Sequence, residues 1–357
     1  MTQHKGSWRI LADDLTGALD SAAMFAGVAP VPVYLAPPDQ ALEAAASPVQ
    51  ALATGTRDVQ HDAMVSALQS SLPWFTTPGH AAFKKVDSLL RGNSFAEVAW
   101  LLRHAGFEGV VFAPAYPAQG RFTRGGRHWV GTSQAPSPEA SSPSLLEVFA
   151  LHGVVARLGH DLAAGGQGQV LIPDVNSDAD LAALAAQAGQ AHAQSWLWCG
   201  SAGLAQALSA QTRPGAAPAI QPGLTHVVTA SRHPVLRAQL QGLAAAGMHC
   251  ADLASAEPLS ASAAADLLRQ RTRQLVATLP RPDNLVVVGG DTLLALCRAA
   301  GVQSLLAGAG PRSGWGCARL QGGAWHGVTC YSRSGAFGAP DDLSALLALL
   351  AEKEPTT

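Results

Sequence analysis

The sequence predicts an α/β protein of two domains, each a mostly parallel sheet flanked by helices. Three observations carry that expectation. Short apolar runs that end in small or acidic residues alternate with longer Ala- and Leu-rich segments of helical period. The 357 residues are about twice the usual domain length. A stretch without periodicity, Gln211–Gly223, carries three prolines and two glycines, after which the alternation starts again.

In the first half the expected strands are Trp8–Ala12, Val31–Leu35, Gln50–Thr54, Ala82–Val86, Gly109–Ala113, Gln169–Pro173 and Ser195–Cys199, with helices between most of them. The boundary divides an N-terminal domain, 1–212, from a C-terminal domain, 225–357, through a linker at 213–224. The second half restarts with Thr225–Thr229, a helix from about Pro234, a strand near Met248–Leu253, a helix near Ser260–Thr278 and a strand at Asn284–Val288. A strand at Val328–Tyr331 and a helix at Asp341–Glu352 end it. The Ser-, Pro- and Ala-rich segment Gly131–Pro143 is too polar and broken for core and is expected to be a surface loop.

Composition excludes several function classes. No apolar run reaches the eighteen or more residues of a membrane span, and a net charge of -2 with no basic run gives nucleic acid no electrostatic footprint. The polar start Met1–Gly6 leads straight into a strand, so the expected location is the cytoplasm. Five scattered cysteines without a CxxC pair fit a reduced compartment and core packing better than a metal site. A small-molecule ligand is expected, with a homodimer allowed for. The only lysines are Lys5, Lys84, Lys85 and Lys353, and two of the four stand together.

Ligands of open α/β sheets bind beyond the carboxyl ends of strands, so the chemistry-bearing residues at those ends are the candidates. After the first strand, Asp13 and Asp14 stand before a helix opening near Thr16. They could bind hydroxyls, act as general base or hold Mg²⁺, or one could simply cap the helix. Lys85, Asp87, Ser88 and Arg91 follow another strand. Arg91 offers a bidentate fork and Lys85 a point charge to an anion, while Asp87 and Ser88 would orient hydroxyls. The alternative there is a surface salt-bridge cluster with a capping serine. Arg121, after Ala113–Gly120, would add a carboxylate partner or tie down its own loop.

In the second half, Gly289, Gly290, Asp291 and Thr292 lie between an apolar strand and a helix start whose backbone N–H groups suit an anion. The glycines would let a phosphate approach, with Asp291 or Thr292 capping the helix. Ser231 ends the first strand of this half, either as ligand or as N-cap. The turn Ser332–Gly338, containing Gly335, could lie flat against a nucleotide or merely redirect the chain. No GxxxxGK[ST] is present, and Gly308–Gly314 misses the GxGxxG spacing by one residue.

Taken together, Ala12–Ala18, Lys85–Gly92, Pro114–Arg121, Gly289–Thr292 and Arg333–Gly338, with Ser231 and Gln239, resemble the motifs of the four-carbon acid sugar kinase family in order along the chain. The resemblance implies an N-terminal sugar-acid domain, a C-terminal nucleotide domain and an active site in the cleft between them. It implies ATP and Mg²⁺ as cofactors and phosphorylation of the terminal hydroxyl of a threonate, erythronate or 3-oxo-tetronate type acid. It adds Thr16 and Gly92 to the sugar-acid residues. The chain departs from the family with Arg333 in place of lysine and with a shorter Gly131–Pro143 loop. A catalytically silent sensor of sugar acid or nucleotide is the alternative, and a nicotinamide-dependent dehydrogenase a weaker one.

Overall fold

The structure is a computed structural model that describes residues 6–27, 29–39, 47–131, 142–162, 168–190, 195–209, 220–245, 250–312, 314–335 and 338–351. The chain divides into two compact units, Met1–Pro214 and Gly215–Thr357. Most of the expected linker and most of the expected 131–143 loop lie outside the described residues.

The first unit runs β1 (Trp8–Ala12), α1 (Leu15–Phe25), β2 (Val31–Tyr34), β3 (Val49–Ala53), α2 (His61–Phe75), β4 (Ala81–Lys85), α3 (Ser94–His104) and β5 (Gly109–Ala113). It continues β6 (Arg121–Arg124), β7 (Arg127–Val130), α4 (Leu145–Leu151), β8 (Val155–Leu158), β9 (Gln169–Ile172), α5 (Asp178–Gln187), β10 (Trp196–Gly200) and α6 (Ala202–Ser209). Its strands lie in the order β2-β3-β1-β4-β10-β5-β9-β8, and every neighbouring pair is parallel. Every residue of β1, β3, β5 and β10 is buried, the continuous burial of strands covered by helices on both faces. Met64 and Leu68 of α2, Val98 and Leu101 of α3 and Phe149 of α4 pack into one core with Leu11, Phe112 and Leu197 of the sheet. Helix α6 packs against both α1 and α5.

Register sets the site. Ala12 of β1 is level with Ala53 of β3 and Lys85 of β4, and Lys85 with Gly200 of β10. The residues that follow these strands therefore emerge together at one edge. From β1 the chain passes through α1 to one side of the sheet, and from β4 through α3 to the other. The two neighbours flank a topological switch point, where an open sheet leaves a crevice.

The second unit runs β11 (Thr225–Thr229), α7 (Pro234–Ala245), β12 (Ala251–Asp252), α8 (Ala261–Thr278), β13 (Asn284–Val288) and α9 (Gly290–Ala299). It ends with β14 (Ser304–Gly308), β15 (Gly316–Gln321), β16 (Thr329–Arg333) and α10 (Asp342–Ala351). The order is β12-β11-β13-β16-β15-β14. The first four strands are parallel, and β15 runs antiparallel to both its neighbours. Leu236 and Leu243 of α7 and Leu343, Leu346 and Leu350 of α10 cover Val227, Val286, Val288 and Tyr331 of the sheet. Connections again part between β11 and β13.

Several boundaries differ from expectation. Strand β12 is two residues long, and the first two residues of the expected Met248–Leu253 strand lie outside the described residues. Strand β16 continues to Arg333 rather than stopping at Tyr331, so Ser332 and Arg333 belong to the sheet and not to a turn. The hairpin β6–β7 and the strands β8, β14 and β15 were not anticipated. Cys199, Cys297, Cys317 and Cys330 are buried and free, and burial pushes the Cys297 thiol up to about 12, which fits core residues rather than nucleophiles. Among the described residues no helix is long and apolar enough to cross a membrane.

Candidate functional site

Asp13 and Asp14 leave β1 at the switch point, and a single arginine holds both. Arg57 Nε and Nη2 donate to the two Asp13 oxygens at 2.9 and 3.0 Å, and Nη1 and Nη2 donate to those of Asp14 at 2.9 and 2.8 Å. The loop that carries Arg57 is wound onto the same spot, with the Thr56 and Arg57 amides donating to the Asp13 carbonyl. Asp14 caps α1, accepting from the Gly17 amide at 2.9 Å and from Thr16 Oγ1 at 2.6 Å. The capping alternative thus holds for Asp14, while Asp13 is a buried carboxylate clasped by a cation. Burial raises its pKa, but the charges of Lys84 and Arg57 and the Arg57 hydrogen bonds outweigh that and hold it below the usual range.

Adjacent strand residues point to opposite faces, and this separates the two lysines. Lys84 turns toward α3 and is fully buried against Glu97, with Nζ 2.5 Å from Oε2. Burial would lower the Lys84 pKa, yet Glu97 and Asp13 raise it further, so the ammonium is retained under the Asp13 carboxylate. Lys85 turns toward α1: its Nζ donates to the Val86 carbonyl at 2.8 Å and lies close to Gly17. A Cβ on Gly17 would meet both Lys85 Nζ, at 3.1 Å, and Asp14 Oδ1, so the start of α1 lies against both groups.

Asp87 follows β4 and organises the next turn. It accepts from the Leu89 and Arg91 amides at 3.1 and 3.2 Å and bidentately from Arg91 Nε and Nη2, both at 2.7 Å. Burial opposes its ionisation, but Arg91 and Arg57 hold its carboxyl well below the ordinary range. Its Oδ1 is 3.8 Å from Arg57 Nη2, which joins the Asp13–Asp14 and Asp87–Arg91 groups into one alternating charge network. The Arg91 side chain is 55% exposed, so it faces solvent while fixed by Asp87. Leu90 has φ 58°, an unusual conformation for a branched residue and one that marks the turn as strained. Gly92 has φ 66°, and a Cβ there would run into the Arg57 carbonyl. Asn93 completes the clasp, donating Nδ2 to the Thr56 and Val59 carbonyls at 2.8 and 2.9 Å.

Ser88 is held through its carbonyl, which accepts from Nε2 of the buried His128 on β7 at 2.8 Å. Arg121 Nη1 donates to the Gln119 carbonyl at 2.6 Å, tying its own loop as one of the two alternatives required. Burial holds the Arg121 guanidinium below its ordinary range, with Asp87 opposing and Arg91 reinforcing. That coupling places Arg121 in the same electrostatic neighbourhood.

In the second unit four of the expected residues converge at the edge of β11 and β13. The Ala230 amide donates to Thr292 Oγ1 at 3.1 Å, and a Cβ on Gly289 would lie 3.2 Å from that hydroxyl and 3.9 Å from Ser231 Cβ. A Cβ on Gly335 would collide with Ser231 Oγ. Two expectations are corrected. Neither Asp291 nor Thr292 caps α9, whose N-cap is Gly289 with no side-chain bond, because the Thr292 hydroxyl is committed to β11. Ser231 is not the N-cap of α7, which begins at Pro234, and its Oγ accepts from the His233 amide at 3.3 Å. Gly289 has φ 118° whereas Gly290 is absent from the positive-φ glycines, so the conformational requirement falls on the first of the pair.

Arg333 is buried. It pairs with Asp342, donates to Gln239 Oε1 and lies 4.5 Å from the Trp315 ring centroid. Its charge ties β16 to α7 and α10. Sequence reasoning also missed Arg57, Glu97, Asn93 and His128. Arg57 was the one with a signal: it lies just past the end of an expected strand, at the edge where the other candidates were sought.

A charge-rich edge on the parallel strands of the first unit, and a glycine turn at the edge of the mostly parallel strands of the second, define an α/β protein with a candidate ligand edge on each unit. Residues 8–146 match the sugar-binding N-terminal domain family. A D-threonate kinase of Cupriavidus necator is 32% identical over 57% of this chain and 54% of its own length. A D-threonate kinase of Bordetella bronchiseptica is 31% identical over 67% of this chain and 62% of its own. The chain therefore spans little more than half the length of the curated relatives it matches. In fold it is similar to a Haemophilus influenzae protein of a domain family of unknown function, with TM-score 0.67, 18% identity and coverage of 96% of this chain and 100% of that one. A Salmonella typhimurium protein gives TM-score 0.68 and 18% identity over 93% of this chain and 96% of its own. Over residues 8–146 the chain is thus similar to sugar-binding N-terminal domains, and over 56 to 67% of its length to D-threonate kinases.

Proposed function

We propose that this protein transfers the γ-phosphoryl group of ATP to the terminal hydroxyl of a four-carbon sugar acid of the threonate, erythronate or 3-oxo-tetronate type, with the acid held by the first unit and the nucleotide by the second. The observation that carries the reading is the network of Asp13, Asp14, Arg57, Asp87 and Arg91 at one switch point. Such a network presents fixed cations to a carboxylate and fixed acceptors to hydroxyls in adjacent positions. Arg91 and Lys85, with Arg121 beside them, supply the cations. Asp14, Thr16 and Ser88 supply the polar groups for the hydroxyls, and the Gly92 backbone lets the chain approach closely.

Phosphoryl transfer through a loose transition state needs positioning and charge neutralisation more than a strong base. Asp13 suits that demand, because Lys84 and Arg57 keep it ionised and fixed. Its role is to orient, through Arg57, rather than to gain a proton. Among the described residues no three His, Cys, Asp or Glu side chains form a metal site. Mg²⁺ would enter as the complex with ATP, with phosphates and water supplying most of its ligands, as this ion prefers. Ser231, Gly289, Gly290, Asp291, Thr292 and Gly335 are the residues for that complex, where backbone amides at the start of α9 face an open edge.

A panel of four-carbon acids tested with Mg·ATP for phosphate transfer checks the activity, and a thermal shift with each acid alone checks the binding. Transfer to none of them would overturn the proposal. Arg91→Ala should weaken acid binding by roughly 1 to 3 kcal/mol, the range for hydrogen bonds to charged groups, and leave ATP binding intact. An unchanged acid Kd would remove Arg91 from the site.

A further inference from the structure

We infer that the cavity at the carboxyl end of β12 seats the nucleoside of the nucleotide and that Asp252 accepts hydrogen bonds from its ribose hydroxyls. The inference rests on the reading of the second unit as the nucleotide-binding one.

Strand β12 pairs parallel with β11, and Asp252 stands level with Thr229. Asp252 therefore lies on the same edge as Ser231, one strand further from the Gly289 turn. A nucleotide whose phosphates lie over the β11 and β13 turns can extend along that edge only toward β12 or toward β16. The β12 side offers a cavity of about 480 Å³ lined by Arg232, Arg237, Asp252, Ala254, Ser255 and Ala256, within the size range of small-molecule sites. In dinucleotide-binding sheets an acid at the neighbouring strand takes a ribose hydroxyl while the phosphates lie at the first turn, and Asp252 has the comparable place here.

The polar groups of this cavity suit a diol. Three arginines surround the segment after β12, and each spends part of its donors on protein oxygens. Arg232 donates to the Ala256 and Glu257 carbonyls at 3.2 and 3.1 Å, and Arg271 to the Leu253 and Ala254 carbonyls at 3.0 and 2.6 Å. Arg237 donates to the Ser231 carbonyl at 2.5 Å and pairs with Asp252. The Asp252 side chain remains 41% exposed and is oriented by the Ala254 amide at 3.0 Å. A carboxylate with free lone pairs accepts from hydroxyls and repels phosphate. The arginine clamps hold the wall in place before any ligand arrives, which lowers the ordering cost of binding. Arg237 also links Asp252 to the backbone that presents Ser231, so the two ends of the nucleotide would be read by one connected element.

The test is calorimetry on the full chain with the magnesium complexes of ATP, 2′-deoxyATP and inorganic tripolyphosphate. The native protein should bind ATP about tenfold or more tightly than 2′-deoxyATP, the effect of one hydrogen bond to a charged group. Asp252→Ala should bring that ratio close to one while tripolyphosphate binds as before. Ser255→Trp, which occupies the cavity and leaves the Asp252 carboxylate in the chain, should weaken both ATP and 2′-deoxyATP and spare tripolyphosphate. A ratio near one in the native protein, or a ratio unchanged in Asp252→Ala, would overturn the inference while leaving the nucleotide assignment of the unit in place. Failure of the native protein to bind any of the three would overturn that assignment, and the inference with it.

Discussion

Replacing Arg57 by alanine should destabilise the first unit and change its response to acid. In the native protein Arg57 makes four hydrogen bonds of 2.8 to 3.0 Å to Asp13 and Asp14, and removing it leaves two neighbouring carboxylates at the end of β1. Breaking a fully buried pair from one side costs about 3 to 5 kcal/mol. Here Arg57 is 17% and Asp14 16% exposed, so water recovers part of that loss, and about 2 to 4 kcal/mol is expected at neutral pH. A unit of this size should then melt lower by on the order of 4 to 16 °C. Tryptophan fluorescence is a suitable probe, because six of the eight tryptophans lie in the first unit.

The pH dependence follows from Asp13. Its folded pKa lies below the ordinary 3.8, so its pairing stabilises the fold above that value, and the contribution is lost as pH falls through the folded pKa. Without Arg57, burial is opposed chiefly by Lys84, and the Asp13 pKa rises. The destabilisation caused by Arg57→Ala should therefore be largest near neutrality and shrink as the carboxyls protonate. Urea titrations of native and variant protein between neutral pH and the acid limb of stability would measure both effects. A loss under about 1 kcal/mol that stays constant with pH would show that water serves the two carboxylates as well as Arg57 does, and the reasoning would fail.

Three further substitutions separate the assigned roles. Asp14→Asn should keep the α1 cap, since Asn caps nearly as well as Asp, and lose only its partly exposed pairing with Arg57, so it should destabilise less than Asp13→Asn, which should lose both stability and phosphate transfer; equal behaviour of the two in melting and turnover would contradict the separate roles assigned to them. Gly289→Val forces a branched residue to φ 118° and brings its Cβ to 3.2 Å from Thr292 Oγ1. Nucleotide affinity should fall at least tenfold with sugar-acid binding retained, and calorimetry with each ligand, after circular dichroism has confirmed folding, decides it.

Much of the fold was legible because its signals are local. A parallel strand covered on both faces reads as an apolar run, and β1, β5 and β13 fall where such runs were found. Strands with weaker patterns escaped. The four residues of β8 lie at a sheet edge with Val155 and Leu158 exposed, and β6 and β7 carry arginines at their ends, so neither shows a buried face in sequence. The final turn was misplaced by two residues because Ser332 and Arg333 look like loop residues; Arg333 enters the sheet only because Asp342, Gln239 and Trp315 gather around its charge.

The sequence by itself determined which residue types stand at the ends of which strands, and with them the Asp13–Asp14 and Lys85–Gly92 motifs that carry the resemblance to four-carbon acid sugar kinases. Only the tertiary structure decided which charges meet. Arg57 lies more than forty residues from Asp13, and the parallel pairing of β1 with β3 brings them into contact. Lys84 and Lys85 are neighbours in the chain, yet the pleat of β4 sends one to Glu97 and the other toward α1. Local sequence fixes conformation and chemistry within a few residues, but the partner of a charge is set by strand order and register, which depend on the packing of the whole unit.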